Sequence, residues 1–246
     1  MRGAMAMSLL LLAALGTGCS VTPLEGSGTA ATESRDVRDL HGVSLSIMGE
    51  LHVRQTGEES LSITADDNLL PYIETEVRDG QLEIRLSRSC PARSISPVSP
   101  IRYELTVKEL NAVAMSGPGG VTVDALESDT LAVAVSGAGD VTVGRLETDR
   151  VDVAMSGAGD VELSGSARTQ AIAVSGSGEY RGDDLRSEKA AAAVSGAGDV
   201  TVWAEVSLDV GVSGAGSVAY YGSPTVEQRV SGSGFVKSLG SKGTSL

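Results

Sequence analysis

The sequence predicts an all-β protein: a right-handed parallel β-helix, or solenoid, with seven coils of about 18-20 residues and an irregular N-terminal β cap. Three observations carry this expectation. A Ser-Gly-x-Gly element opens at Ser116, Ser136, Ser156, Ser175, Ser195, Ser213 and Ser231, in steps of 20, 20, 19, 20, 18 and 18 residues. Before each serine the chain alternates, as in Leu131, Val133 and Val135 with Ala132 and Ala134 between them, which is the period of a strand with one buried face. After each corner the alternation resumes, as Val141/Val143, Val161/Leu163 and Val200/Val202, and a third apolar position follows at Leu126, Leu146 and Leu185. Each repeat thus supplies two strands and a less regular third side. It is too short for a strand-helix-strand unit, which needs about 30 residues. The glycine pairs, among them Gly137/Gly139, Gly157/Gly159 and Gly196/Gly198, mark one sharp corner repeated coil after coil. Glycine suits such a corner because it accepts positive φ or lets two backbones approach closely.

Taken in order, residues 1-18 have the form of a secretory signal. Arg2 precedes an apolar run from Leu9 to Leu15 that is far shorter than the ~20 residues of a spanning helix. Gly16-Thr17-Gly18-Cys19 resembles a bacterial lipoprotein cleavage box, which implies lipidation of Cys19. The alternative is ordinary cleavage that leaves Cys19 a thiol. With Cys19 lipidated, Cys90 has no intramolecular partner. Residues 19-35 are then the lipidated cysteine and a flexible Ser/Thr/Gly/Ala tether. Residues 36-110 form the cap and first coils, with a hairpin turn at Asp79-Gly80. The repeat solenoid occupies 111-236, and Trp203, Tyr220, Tyr221 and Phe235 are placed to close its trailing end. A polar tail, 237-246, completes the chain.

Composition narrows the function. The chain has a formal charge of -13, 3% aromatic residues and no basic patch, which argues against nucleic acid and against direct attraction to anionic lipid. Two histidines, His41 and His52, both lie in the cap, so spacing supports no Ser-His-Asp arrangement and no Cys/His metal site. The row of serines Ser136, Ser156 and Ser195 with its fellows reads as small residues hydrogen-bonding their own tight turns. The sharpest candidate site is acidic. Asp140, Asp160, Glu179 and Asp199 take equivalent places in four successive coils, where stacked carboxylates repel unless hydrated or bridged by a cation. Calcium is the natural bridge, but Gly120, Ser217 and Phe235 interrupt the column, and solvated turn carboxylates are the preferred reading. No cofactor is expected. A calcium-dependent polysaccharide lyase on a β-helix is the enzymatic alternative, and the repeats offer few cations to serve it.

The run Asn68-Leu69-Leu70-Pro71-Tyr72-Ile73-Glu74-Thr75-Glu76-Val77, then Asp79-Gly80-Gln81-Leu82-Glu83-Ile84, then the repeated Ser-Gly-x-Gly-Asp-Val corners, resembles the head GIN domain family of putative autotransporter adhesins over roughly residues 36-236. The resemblance implies a bacterial exported or surface β-solenoid, often lipid-anchored, and brings no catalytic residues. The expectation is therefore a non-enzymatic envelope protein, tethered by lipid at the outer membrane or cell surface, that binds a glycan or protein partner through flat solenoid faces. A structural or signalling lipoprotein that binds another envelope protein is the alternative.

Overall fold

Aliphatic residues at every second position give each segment one apolar face, and winding the chain into coils buries those faces against one another. The computed structural model describes residues 22-242, so the signal segment and Cys19 lie outside the described residues. The chain is an all-β solenoid of about six turns, interrupted among the described residues by one 3-10 turn at Leu70–Tyr72. Seven Ser-Gly corners bound six complete turns between them. The coils stack in register: Val135, Met155, Val174, Val194, Val212 and Val230 form one inward column, each paired to the next in parallel. The interior is aliphatic, with Tyr103 and Tyr180 its largest fully buried side chains.

The steps differ in length, yet the corners stay aligned because the third side takes up the difference. Register shifts fall between Val143 and Leu146, Glu162 and Ser164, and Gly182 and Arg186, all beyond the corner strands.

The leading end holds a coil that lacks the glycine motif. Strands Gly42–Leu45 and Gly49–Gln55 lie in parallel register beneath Ala112–Met115 and Gly119–Val123, with Leu45 under Met115 and Val53 under Val123. Below them run Gln81–Leu86 and Arg102–Val107, also parallel. Antiparallel strands then close the floor. Ile73–Arg78 folds onto Gln81–Leu86 through Asp79 and Gly80, both at positive φ (48° and 74°), as the Asp-Gly hairpin requires. Ser60–Asp66 pairs with Arg102–Val107 on one side and with Ala30–Arg35 on the other.

That last pairing corrects the expected tether. Residues 24-35 hold two strands joined by a short loop: Leu24–Glu25 pairs with Ile95–Ser96, and Ala30–Arg35 forms six register pairs with Ser60–Asp66. The physical reason is a polar clamp. The buried Asp66 carboxylate accepts the N–H groups of Gly28 (3.1 Å), Val98 (2.8 Å) and Ser99 (3.2 Å). Asn68 Oδ1 accepts the N–H of Ser27 (2.9 Å), and its amide donates to the Glu25 carbonyl (2.8 Å). Two further boundaries move. Strand Phe235–Gly240 pairs with Ser217–Tyr221, so the last strand extends into the expected polar tail. The aromatic residues do not close the trailing end: Phe235 is 57% exposed, and Val230 and Leu239 of the final coil are 45% and 37% exposed.

Candidate functional site

The corner glycines exist because of stacking more than dihedral angle. Gly119 and Gly232 have positive φ, but the intervening corner glycines do not. A Cβ on Gly157 would overlap the Gly137 carbonyl oxygen, one on Gly176 that of Gly157, and one on Gly214 that of Gly196. The second glycines, such as Gly139, Gly159 and Gly198, are buried for the same reason. The serine amides join the ladder, as Ser156 N–H donating to Val135 (2.9 Å) and Ser195 N–H to Val174 (2.9 Å). The hydroxyls do not satisfy their own turns as expected. Ser136, Ser156, Ser195, Ser213 and Ser231 are exposed, and their Oγ atoms make no hydrogen bond among the described residues.

Beside that hydroxyl column lies a face of small side chains. On the pre-corner strands the outward positions are Ala132/Ala134, Asp152/Ala154, Ala171/Ala173, Ala191/Ala193 and Asp209/Gly211, each stacked on the next. Together with the serines they line a shallow apolar trough that ends at Arg229. Four strand spacings from Ala134 to Gly211 make it about 19 Å long. Alanine alternating with inward valine was legible as strand; that the exposed half would make one continuous smooth surface follows only from the register.

The acidic column comes together as expected, with a different means of relief. Asp140 accepts the N–H of Asp160 (2.9 Å), Asp160 that of Glu179 (3.0 Å), and Asp199 that of Ser217 (3.2 Å), so each carboxylate is spent on the coil above it. Arg181 supplies the cation. Its guanidinium reaches Asp160 (3.2 Å), Glu162 (3.5 Å) and Glu179, and against the opposing effect of desolvation Glu179 and Asp160 raise its pKa. Among the described residues, no three His, Cys, Asp or Glu side chains converge in a way that could hold a metal ion. His52 sits in the cap's parallel strand between Asp124 (2.7 Å) and Glu104 (3.4 Å), and no serine or cysteine hydrogen-bonds its ring among the described residues.

A second polar site was not legible in the sequence. The register shift between Gly182 and Arg186 pushes Asp183 and Asp184 outward beside Trp203 and Tyr221, which stack in adjacent coils. Lys242 turns back into this place. Its ammonium donates to the Asp183 carbonyl (2.6 Å), Asp183 Oδ2 (3.1 Å) and Asp184 Oδ1 (2.6 Å), and lies 5.0 Å and 5.8 Å from the ring centres of Tyr221 and Trp203. Despite desolvation, the hydrogen bonds to Asp184 and Asp183 hold its pKa above the usual value.

In comparison with known proteins, the profile of the family described as putative auto-transporter adhesin, head GIN domain, matches residues 39–224, from the motif-free coil to the loop before the last Ser-Gly corner. The chain belongs to this family. Among solved structures, a putative adhesin from Bacteroides fragilis is 28% identical, with a TM-score of 0.82 over 88% of this chain and 100% of that one. A putative lipid binding protein from Parabacteroides distasonis (21% identical, TM-score 0.72, 89% and 100% covered) and a putative adhesin from Parabacteroides merdae (21%, 0.71, 88% and 98%) share the fold. A comparison with curated proteins finds no match. Among the described residues no helix is long and apolar enough to cross a membrane.

Proposed function

We propose that this member of the family is a non-enzymatic, exported surface protein of the adhesin type, and that its Ala-Ser face binds an extended partner, a glycan chain or a flat protein surface. The observation that carries the reading is the exposed serine hydroxyls, unspent on the fold, in line with a trough of alanines. Alanine loses no rotamer freedom on binding, so each small contact, repeated at about 4.8 Å, contributes without an ordering cost. A sugar ring offers the matching chemistry, with C–H groups for the alanines and hydroxyls for the serines. The absence of a ring-stacking residue on this face makes each contact weak, and binding depends on their number.

The anchor in this reading is a lipid on Cys19, with the outer membrane favoured because Ser20 and Val21 carry no aspartate retention signal, by resemblance to lipoprotein sorting. The first described residues enter at the capped end, held by Asp66 and Asn68, and in this reading the anchor attaches at that end of the rod. The reading as a structural lipoprotein that binds another envelope protein uses the same face. Calcium-dependent lyase chemistry gains no support from the acidic column, whose carboxylates serve the next coil and Arg181. The test is a glycan array probed with the purified chain beside Ala173→Arg, which sets a long cation in the trough without touching the core. Glycans bound by the wild type and lost in the variant support the reading; equal binding by the two overturns it.

A further inference from the structure

We propose that two copies of this chain pair end to end through their trailing coils, with strand Thr225–Val230 of one running antiparallel to the same strand of the other about a two-fold axis at Gln228. The starting observation is an open edge. Thr225–Val230 pairs on one side with residues 207-212, Phe235–Gly240 pairs on one side with residues 217-221 of the coil beneath, and among the described residues no strand lies beyond either. Lys242, the last described residue, turns away from that edge and back along the side to Asp183, three coils down. At the leading end the antiparallel strands close the stack, so the two ends are unlike.

The edge has a defined polarity. Ser231 N–H donates to the Val212 carbonyl (2.7 Å), so residues of the same parity, Glu227 and Arg229, direct their main chain toward the coil beneath. Val226, Gln228 and Val230 therefore direct N–H and C=O out along the axis. An antiparallel partner centred on Gln228 makes Gln228 opposite Gln228, and Val226 opposite Val230, hydrogen-bonded pairs, for about six main-chain hydrogen bonds in all.

The side chains suit the same register and no other nearby one. Pairing about Gln228 sets Glu227 opposite Arg229 of the second copy, twice by symmetry, so unlike charges meet on the outer face. On the inner face it sets Val226 against Val230 and gives the exposed apolar end of the core, Val230 (45% exposed) with Leu239 (37%) and Phe235 (57%), a matching end to cover. A shift of the centre by one residue in either direction breaks the Glu-Arg pairing. An open, apolar strand edge is a hazard in a secreted protein, and a closed two-fold contact removes it without permitting further growth. In such a pair the capped ends, and with them the entry of each chain, lie at opposite extremes of a double-length rod. That orientation makes the contact one between two anchored surfaces; this consequence rests on the proposed lipid anchor, whereas the pairing itself does not.

The experiment is sedimentation equilibrium of the chain secreted as Cys19→Ser, which leaves every described residue unchanged, beside Arg229→Glu and the exchange Glu227→Arg/Arg229→Glu. Thermal unfolding checks that each is folded. Both variants lose the intramolecular Arg229 contact to Asp209 (3.0 Å), and Arg229→Glu also loses the pair with Glu227 (3.5 Å), so thermal unfolding reads the loss within one copy separately from the dimer equilibrium. The expected result is a dimer for the parent, association weakened about tenfold or more in favour of monomer for Arg229→Glu, where two Glu-Glu pairs face each other, and recovery of the dimer in the exchange. A monomeric parent at micromolar concentration, a dimer indifferent to Arg229→Glu, or an exchange that fails to recover would each overturn the proposal. Because no glycan or other partner is present, these outcomes are independent of whether the Ala-Ser face binds one.

Discussion

At the scale of single residues, two kinds of side chain hold this fold, and they differ in how openly the sequence declares them. The corner glycines are declared by their period, and the overlap a Cβ at Gly157 would make with the Gly137 carbonyl explains why they recur in pairs with one residue between. Asp66 is not declared. It lies in the run Asp66-Asp67-Asn68, which has the composition of a turn, and only the folded chain shows its carboxylate taking three main-chain N–H groups from two distant segments. Hydrogen bonding to Ser99, with the N–H groups of Val98 and Gly28, holds its carboxyl below the usual range despite burial. A depressed carboxyl contributes stability that is complete above its unfolded value, near 3.9, and is lost as pH falls through the folded one. Thermal unfolding of the wild type should therefore drop below about pH 4. Asp66→Asn should be less stable at neutral pH and should lose part of that acid-side drop; an unaltered profile would remove Asp66 from the account.

At the scale of elements, the coil is the unit, and its legibility depended on the Ser-Gly-x-Gly mark. Coils from Ala112 onward carry the mark, and the mark and the alternation together point to their stacked strands. Strands Gly42–Leu45 and Gly49–Gln55 do not carry it and are separated from the strands stacked on them by some seventy residues, a separation no local pattern can bridge. Ala30–Arg35 was missed for a related reason: its alternation is among small and polar residues, Ala31 being the one that packs toward the core, so it resembles a linker in composition. The acidic column belongs to this scale too. Its like charges were legible as a problem, and hydration of the turn carboxylates was preferred to a calcium bridge as the remedy from sequence. The remedy found is Arg181 together with the next coil's N–H at Asp140, Asp160 and Asp199, neither of which can be placed until the register is known. Addition of a strong calcium chelator should leave the melting temperature unchanged, and a large loss would show that a bound cation, not Arg181, relieves the column.

At the scale of the whole molecule, what matters is that the stacking is continuous. One period places alanines over alanines, hydroxyls over hydroxyls and carboxylates over carboxylates, so a surface some 19 Å long inherits the chemistry of five residues read once per coil. The same continuity leaves an open end. Sequence placed the few aromatics there as a lid, but Trp203 and Tyr221 turn to the side and take Lys242, while Phe235 points into solvent. The face and the end are the two surfaces the architecture cannot bury by itself, and each has been given an occupant above. Both depend on coils that lie in register, and this is directly measurable. In a Cys19→Ser/Cys90→Ser background, pyrene attached at Ala154→Cys and Ala173→Cys, paired neighbours about 4.8 Å apart, should give strong excimer emission. Pyrene at Ala134→Cys and Gly211→Cys, four coils and about 19 Å apart, should give monomer emission alone. Excimer emission from the distant pair, or none from the adjacent pair in a folded protein, would contradict the stacked register on which the face and the end both rest.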